Sequence, residues 1–112
     1  MTTKFAMGRD INGYNAFITP PCDDLISGTL AEDTEQNITV PSASPRYNAI
    51  FSYELGGNVW VSINDTAVVG SDALSATTSE QNPVGKQVKA GDTISFITSD
   101  TSVNVGVAFY AL

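Results

Sequence analysis

The sequence predicts an all-β fold, a sandwich or small barrel of about seven to nine short antiparallel strands. Three observations predict it. From residue 25 onward apolar residues recur with a period of two, the period of a strand with one buried face. Clusters of Gly, Asn, Asp and Pro break that alternation about every eight to twelve residues. No stretch of about ten residues carries helical apolar spacing; residues 23–36 come nearest and are interrupted by Gly28.

The elements follow in order. Residues 1–24 mix Gly8, Asn12-Gly13 and Pro20-Pro21 with spaced apolar anchors, Phe5, Met7, Ile11, Tyr14, Phe17 and Ile18. The anchors keep neither a helical nor a strand period. Pro20-Pro21 stops a helix and favours extended backbone before it. An extended N-terminal arm is expected here, resting on its own domain or on a neighbouring copy, with residues 25–112 forming the sandwich. Residues 25–30 and 36–40 are strands, the second ended by Pro41, and residues 42–45 are a loop. Residues 47–54 form a strong strand with Tyr47, Ala49, Phe51 and Tyr53 on one face. Gly56-Gly57-Asn58 reads as a hairpin turn into residues 58–63, where Val59, Val61 and Ile63 share a face opposite Trp60. Ala67, Val68 and Val69 suggest a short strand, and residues 70–85 a surface loop with an edge strand near 76–81. In Lys89-Ala90-Gly91-Asp92 glycine supplies a positive φ and aspartate an acceptor for backbone N–H, a tight turn feeding a strand over 93–98. After a turn at 100–102, Val103, Val105, Val107 and Phe109 face inward, and Asn104, Gly106, Ala108 and Tyr110 outward.

Charge and composition narrow the functions. Twelve acidic residues against five basic ones give a net charge of −7, and Lys4, Arg9, Arg46, Lys86 and Lys89 form no run. Nucleic-acid binding and docking on anionic lipid both need a basic face, so neither is expected. Without histidine, and with Cys22 as the single cysteine, the common histidine-based nucleophile systems and His/Cys zinc sites are excluded. Cys22 has no partner in its own chain and reads as an idle or buried thiol. Neither a signal peptide nor a membrane helix is expected, so synthesis in a cytoplasm follows and the Asn37 and Asn64 glycosylation sequons carry little weight.

Four groups could carry chemistry, and each has a plainer reading. Glu54 and Asp92 could serve as a glycosidase pair, but solvated turn acids account for both. Asp23-Asp24 and the Glu32, Asp33, Glu35 loop could hold calcium, but neither has a recognised ligand spacing. Trp60 with Tyr53 could form a sugar-stacking platform, although a Trp flanked by valines is more often core or interface. Lys86 and Lys89 could bind anions, but lysines also guard an edge strand against unwanted pairing. No catalytic residue, metal or cofactor is therefore expected.

Three stretches carry a resemblance: Gly8-Arg-Asp-Ile-Asn-Gly-Tyr14, Phe51-Ser-Tyr-Glu-Leu-Gly-Gly-Asn-Val-Trp60, and Val88-Lys-Ala-Gly-Asp-Thr-Ile-Ser-Phe96 with the Val-x-Val-x-Val tail. Together they resemble small virion proteins of tailed bacteriophages, particularly cyanobacterial ones. The Lys-Ala-Gly-Asp turn is also similar to trimeric jelly-roll modules of the tumour-necrosis-factor and complement type, which lack such an arm. The virion resemblance implies a non-enzymatic capsid decoration or cement protein on the capsid exterior. It implies a jelly-roll-like sandwich that forms a homo-oligomer, a trimer above all, and clamps the major capsid protein. The arm residues Phe5, Met7, Ile11, Tyr14 and Phe17 would then make the contact. The competing expectation is a glycan- or receptor-binding module of a fibre or tail tip, using Trp60 and Tyr53.

Overall fold

The computed structural model describes residues 21–71 and 73–112, with two short strand pieces before them, β1 (Gly8–Arg9) and β2 (Asn15–Ala16), paired with each other. The arm residues Phe5, Met7, Ile11, Tyr14 and Phe17 lie outside the described residues. Eight further strands build the body: β3 (Asp24–Ala31), β4 (Gln36–Thr39), β5 (Arg46–Tyr53), β6 (Val59–Ile63), β7 (Glu80–Gln81), β8 (Gly85–Lys89), β9 (Thr93–Thr98) and β10 (Ser102–Ala111). They form two four-stranded antiparallel sheets, ordered β3-β10-β5-β8 and β4-β9-β6-β7.

Among the eight strands the pairings nest. β3 pairs with β10, β4 with β9, β5 with β8 and β6 with β7, the pattern of one long hairpin. β10 also pairs with β5, and β9 with β6, which rolls that hairpin into two stacked sheets. This is a jelly roll, the architecture that the virion resemblance implies.

Alternation places the core. Tyr47, Ala49 and Phe51 of β5, Val103, Val107 and Phe109 of β10, and Leu30 of β3 meet Val59 and Val61 of β6 and Ile94 and Phe96 of β9. Tyr47 lies edge-on to Phe109, and Phe51 edge-on to Phe96, the geometry that ring quadrupoles favour. The Tyr47 hydroxyl accepts a bond from the Ser44 N–H at 2.9 Å, so the most buried polar tip in this layer is satisfied.

Two local expectations are corrected. The Gly56-Gly57-Asn58 turn does not close a hairpin: β5 and β6 belong to different sheets, and the turn carries the chain from one to the other. Its geometry is pinned from elsewhere, by the Asn58 N–H donating to Asp100 Oδ2 and the Val59 N–H to Asn82 Oδ1. Ala67, Val68 and Val69 form no strand. Their backbone bonds go to serines instead, Ala67 N–H to Ser95 Oγ and Val68 N–H to Ser79 Oγ, both at 2.9 Å. The edge strand expected near 76–81 is the two-residue β7. Gly91 does adopt a positive φ of 83°, and Asp92 Oδ2 accepts the Lys89 N–H at 2.8 Å. That turn also changes sheets, from β8 to β9.

Candidate functional site

The two outer faces of the sandwich differ. The outer face of β4-β9-β6-β7 is overlaid by the long connection between β6 and β7. Ser62 and Ser95 stand on that outer face, yet each is only 1% exposed. Ser95 Oγ accepts from Ala67 N–H and donates to Glu35 Oε2. Ser62 Oγ and Thr78 Oγ1 are 2.6 Å apart, and Thr78 in turn donates to Asp65 Oδ2. Trp60 lies beneath the same connection: a Cβ placed on Gly70 would stand 3.2 Å from its indole Nε1.

The outer face of β3-β10-β5-β8 presents rows of uncharged side chains. The strand register aligns Ser27 with Gly106 and Ser52, then Leu25 with Ala108, Ile50 and Gly85, then Tyr110 with Asn48 and Gln87. The middle row is apolar across all four strands. Leu25 is 64% exposed, Ile50 36%, and the neighbouring Val84 78%. Val84 and Ile50 line one shallow hollow with Asn48, Gln87 and, at its rim, Lys86. None of these three rows carries a charge, in a chain with 17 charged residues (12 acidic plus 5 basic). Arg46 and Lys89 face each other only in the row at one end, and Glu54 follows β5 at the other. Four strands spaced ~4.8 Å and about six residues rising ~3.3 Å each make a patch of roughly 400 Å². Only its middle row is apolar, flanked on either side by polar, uncharged rows, and an apolar strip rimmed by polar residues is a feature of contact surfaces.

The other candidate groups are placed as follows. Tyr53 and Trp60 sit on different sheets and face different ways, so they build no shared platform. Tyr53 packs against the core, and its hydroxyl donates to the Pro83 carbonyl at 2.6 Å. Burial, then the negative charge of Glu80, pushes the Tyr53 phenol well above its ordinary range. Glu54 and Asp92 lie at opposite ends of the sandwich, separated by the length of β5, roughly 25 Å. A glycosidase pair works at about 5–9.5 Å. Asp92 is held below the usual carboxylate range by the Lys89 N–H first and the Asn64 amide second. Asp23 Oδ2 accepts the Ala111 N–H at 2.7 Å, and Glu35 is bound to Ser95, so the two acidic loops do not converge. No group of three or more His, Cys, Asp or Glu among the described residues could hold a metal ion. Lys86 pairs with Glu80 across the two sheets and closes the β7/β8 flank.

A polar hollow beside the β6–β7 connection, lined by Glu35, Asn64, Asp65, Thr93 and Ser95, is occupied with its own bonds. Asn64 bridges Thr93 N–H and Asp92 Oδ1, and Asp65 holds Thr66 N–H and Thr78. The uncharged sheet face is therefore the candidate functional surface. Alternation marks Gly106, Ala108 and Tyr110 of this face as outward but gives them no role, because their alignment into rows with Leu25, Ser27 and Ile50 depends on the order of strands in the sheet. Comparison of the chain with models of known protein families, with curated proteins and with solved structures gives no match.

Proposed function

We propose that this chain is a non-enzymatic structural protein of a bacteriophage particle, decorating or cementing the capsid from outside. Its partner is the major capsid protein, and it works as a homo-oligomer. The observation that carries the reading is the uncharged face of β3-β10-β5-β8 with its apolar row Leu25, Ala108, Ile50. A face that meets another protein must shed water cheaply, and neutral side chains do so where charges do not. The contrast with the opposite face, sealed by the chain's own connection, supports a single docking side. A patch of roughly 400 Å² is about half of what one partner contributes to a standard interface. The apolar anchors of residues 1–24 supply further contact in this reading, and many copies on one particle add avidity.

Co-sedimentation with capsids that lack the protein tests the proposal. Full-length chain pellets with the particles, and Ile50→Lys lowers the bound fraction at least tenfold while circular dichroism stays unchanged. Removal of residues 1–20 leaves the β-spectrum and weakens pelleting. Failure of the full-length chain to pellet, or equal pelleting by Ile50→Lys, contradicts it.

A further inference from the structure

We infer that two copies of this chain pair edge to edge through β3, antiparallel about Ser27, joining their β3-β10-β5-β8 sheets into one continuous sheet. The inference does not rest on the capsid reading.

Among the described residues β3 is an eight-residue edge strand bonded to another strand on one side only, to β10. Glu54 N–H donates to the Asn104 carbonyl, so even-numbered residues of β10 turn their backbone towards β5 and odd-numbered ones towards β3. By the register, the backbone groups of Leu25, Ser27 and Thr29 then point to the free side. Gln36 Nε2 reaches the Thr29 carbonyl there at 3.4 Å, which agrees. That long bond caps Thr29, and among the described residues no strand covers Leu25 or Ser27.

Natural edges are guarded by lysine, proline or bulges. The far edge is guarded: β8 carries Lys86 and Lys89, and Lys86 is tied to Glu80 of the facing sheet. β3 has none of these devices, and Leu25 to Ala31 carries no charge in a chain of net −7. With two copies paired about Ser27 no charge stands directly opposite another, and Asp24 of each copy comes only diagonal to Glu32 of the other, beyond the paired stretch.

Gly28 gives the register. It sits in mid-strand, where glycine weakens a sheet, and its own subunit does not require it: a Cβ there would meet nothing within 4 Å. Gly28 and Ile26 both border a cleft of about 80 Å³ that opens between β3 and β4 onto Leu30, Ile38, Phe96 and Val107. Pairing about Ser27 sets Ser27 opposite itself, Leu25 opposite Thr29, and Ile26 of each copy over Gly28 of the other. The glycine then makes room for the incoming isoleucine, and the strand becomes complementary to itself.

Sedimentation equilibrium of the full-length chain tests this. The expected mass is a dimer, and Gly28→Val, which adds a side chain in open space within one subunit, shifts it to monomer while the circular dichroism spectrum stays that of the folded β-sandwich. On a Cys22→Ser background, Ser27→Cys oxidises to a covalent dimer, because a directly opposed pair has Cα atoms ~5.5 Å apart, within disulfide reach. Thr29→Cys does not, being offset from its own copy by roughly 13 Å. Should Gly28→Val fail to fold, the cysteine pair decides alone. A monomer, a trimer, a dimer that survives Gly28→Val, or cross-linking at 29 as ready as at 27 overturns the pairing. A monomer with no cross-link at 27 points to residues 1–20 as the occupant of the edge, and each of these results leaves the capsid assay standing or falling by itself.

Discussion

Gly70 lies against the Trp60 indole so closely that a Cβ at residue 70 would stand 3.2 Å from Nε1 and 3.5 Å from Cε2. The contact holds the β6–β7 connection down on the outer face of its sheet. Gly70→Val forces the indole or the connection to move, at a cost of about 1–3 kcal/mol for overpacking. Tryptophan fluorescence reads it directly, since Trp60 is the single tryptophan: emission shifts to the red, and an unchanged spectrum rejects the contact.

Ser95 holds the same connection from below. Its hydroxyl is the acceptor for Ala67 N–H and the donor to Glu35. Ser95→Ala leaves a buried N–H unpaired, which costs about 1–3 kcal/mol. Limited proteolysis of the variant is expected to cut first within residues 64–79, whereas a pattern like that of the parent protein shows that Ser95 does not anchor them.

Tyr53 sets an alkaline limit. Its folded-state pKa is raised, so the stability it contributes is fully present below the ordinary phenol value of ~10 and is lost as pH climbs beyond it. Denaturant midpoints should fall above about pH 10 in the parent and fall less in Tyr53→Phe. At neutral pH that variant is less stable by ~1 kcal/mol for the bond to Pro83. Parallel pH curves for the two proteins refute the assignment.

Asp92 works at the other end of the scale. Its folded-state pKa is depressed, so its contribution is present above the ordinary value of ~3.9 and disappears as pH falls through the lowered one. The side chain is largely solvated, so the effect is small. Asp92→Asn is expected to flatten the acid limb of the stability curve below about pH 4; an unaltered limb means that the Lys89 N–H and Asn64 do not favour the carboxylate.

The longer strands were legible because a buried face imposes a period of two, whereas β8, with only Val88 buried, was not read as a strand. Residues 93–98 are the observed β9, and residues 47–54 differ from β5 by one position at each end. Sheet membership was less legible. A Gly-Gly-Asn turn has the same backbone freedom whether it closes a hairpin or crosses between sheets, and here Asp100 and Asn82, distant in sequence, hold the crossing. Ser62 and Ser95 look solvent-facing because alternation distinguishes two faces, not what covers them. The apolar Ala67, Val68, Val69 run resembles a strand until its N–H groups are seen to bond serine hydroxyls. For the same reason Trp60 was readable as opposite the valine row but not as overlaid by Gly70. The candidate surface was hidden by register: Leu25, Ala108 and Ile50 are far apart in the chain and align only once β3, β10 and β5 are neighbours.

A density map of decorated particles, resolved well enough to orient the sandwich, tests the central claim most directly. The side bearing Leu25, Ala108 and Ile50 should be turned towards the capsid, with residues 64–79 exposed to solvent. A sandwich seated the opposite way round, with that neutral side free in solution, contradicts the account.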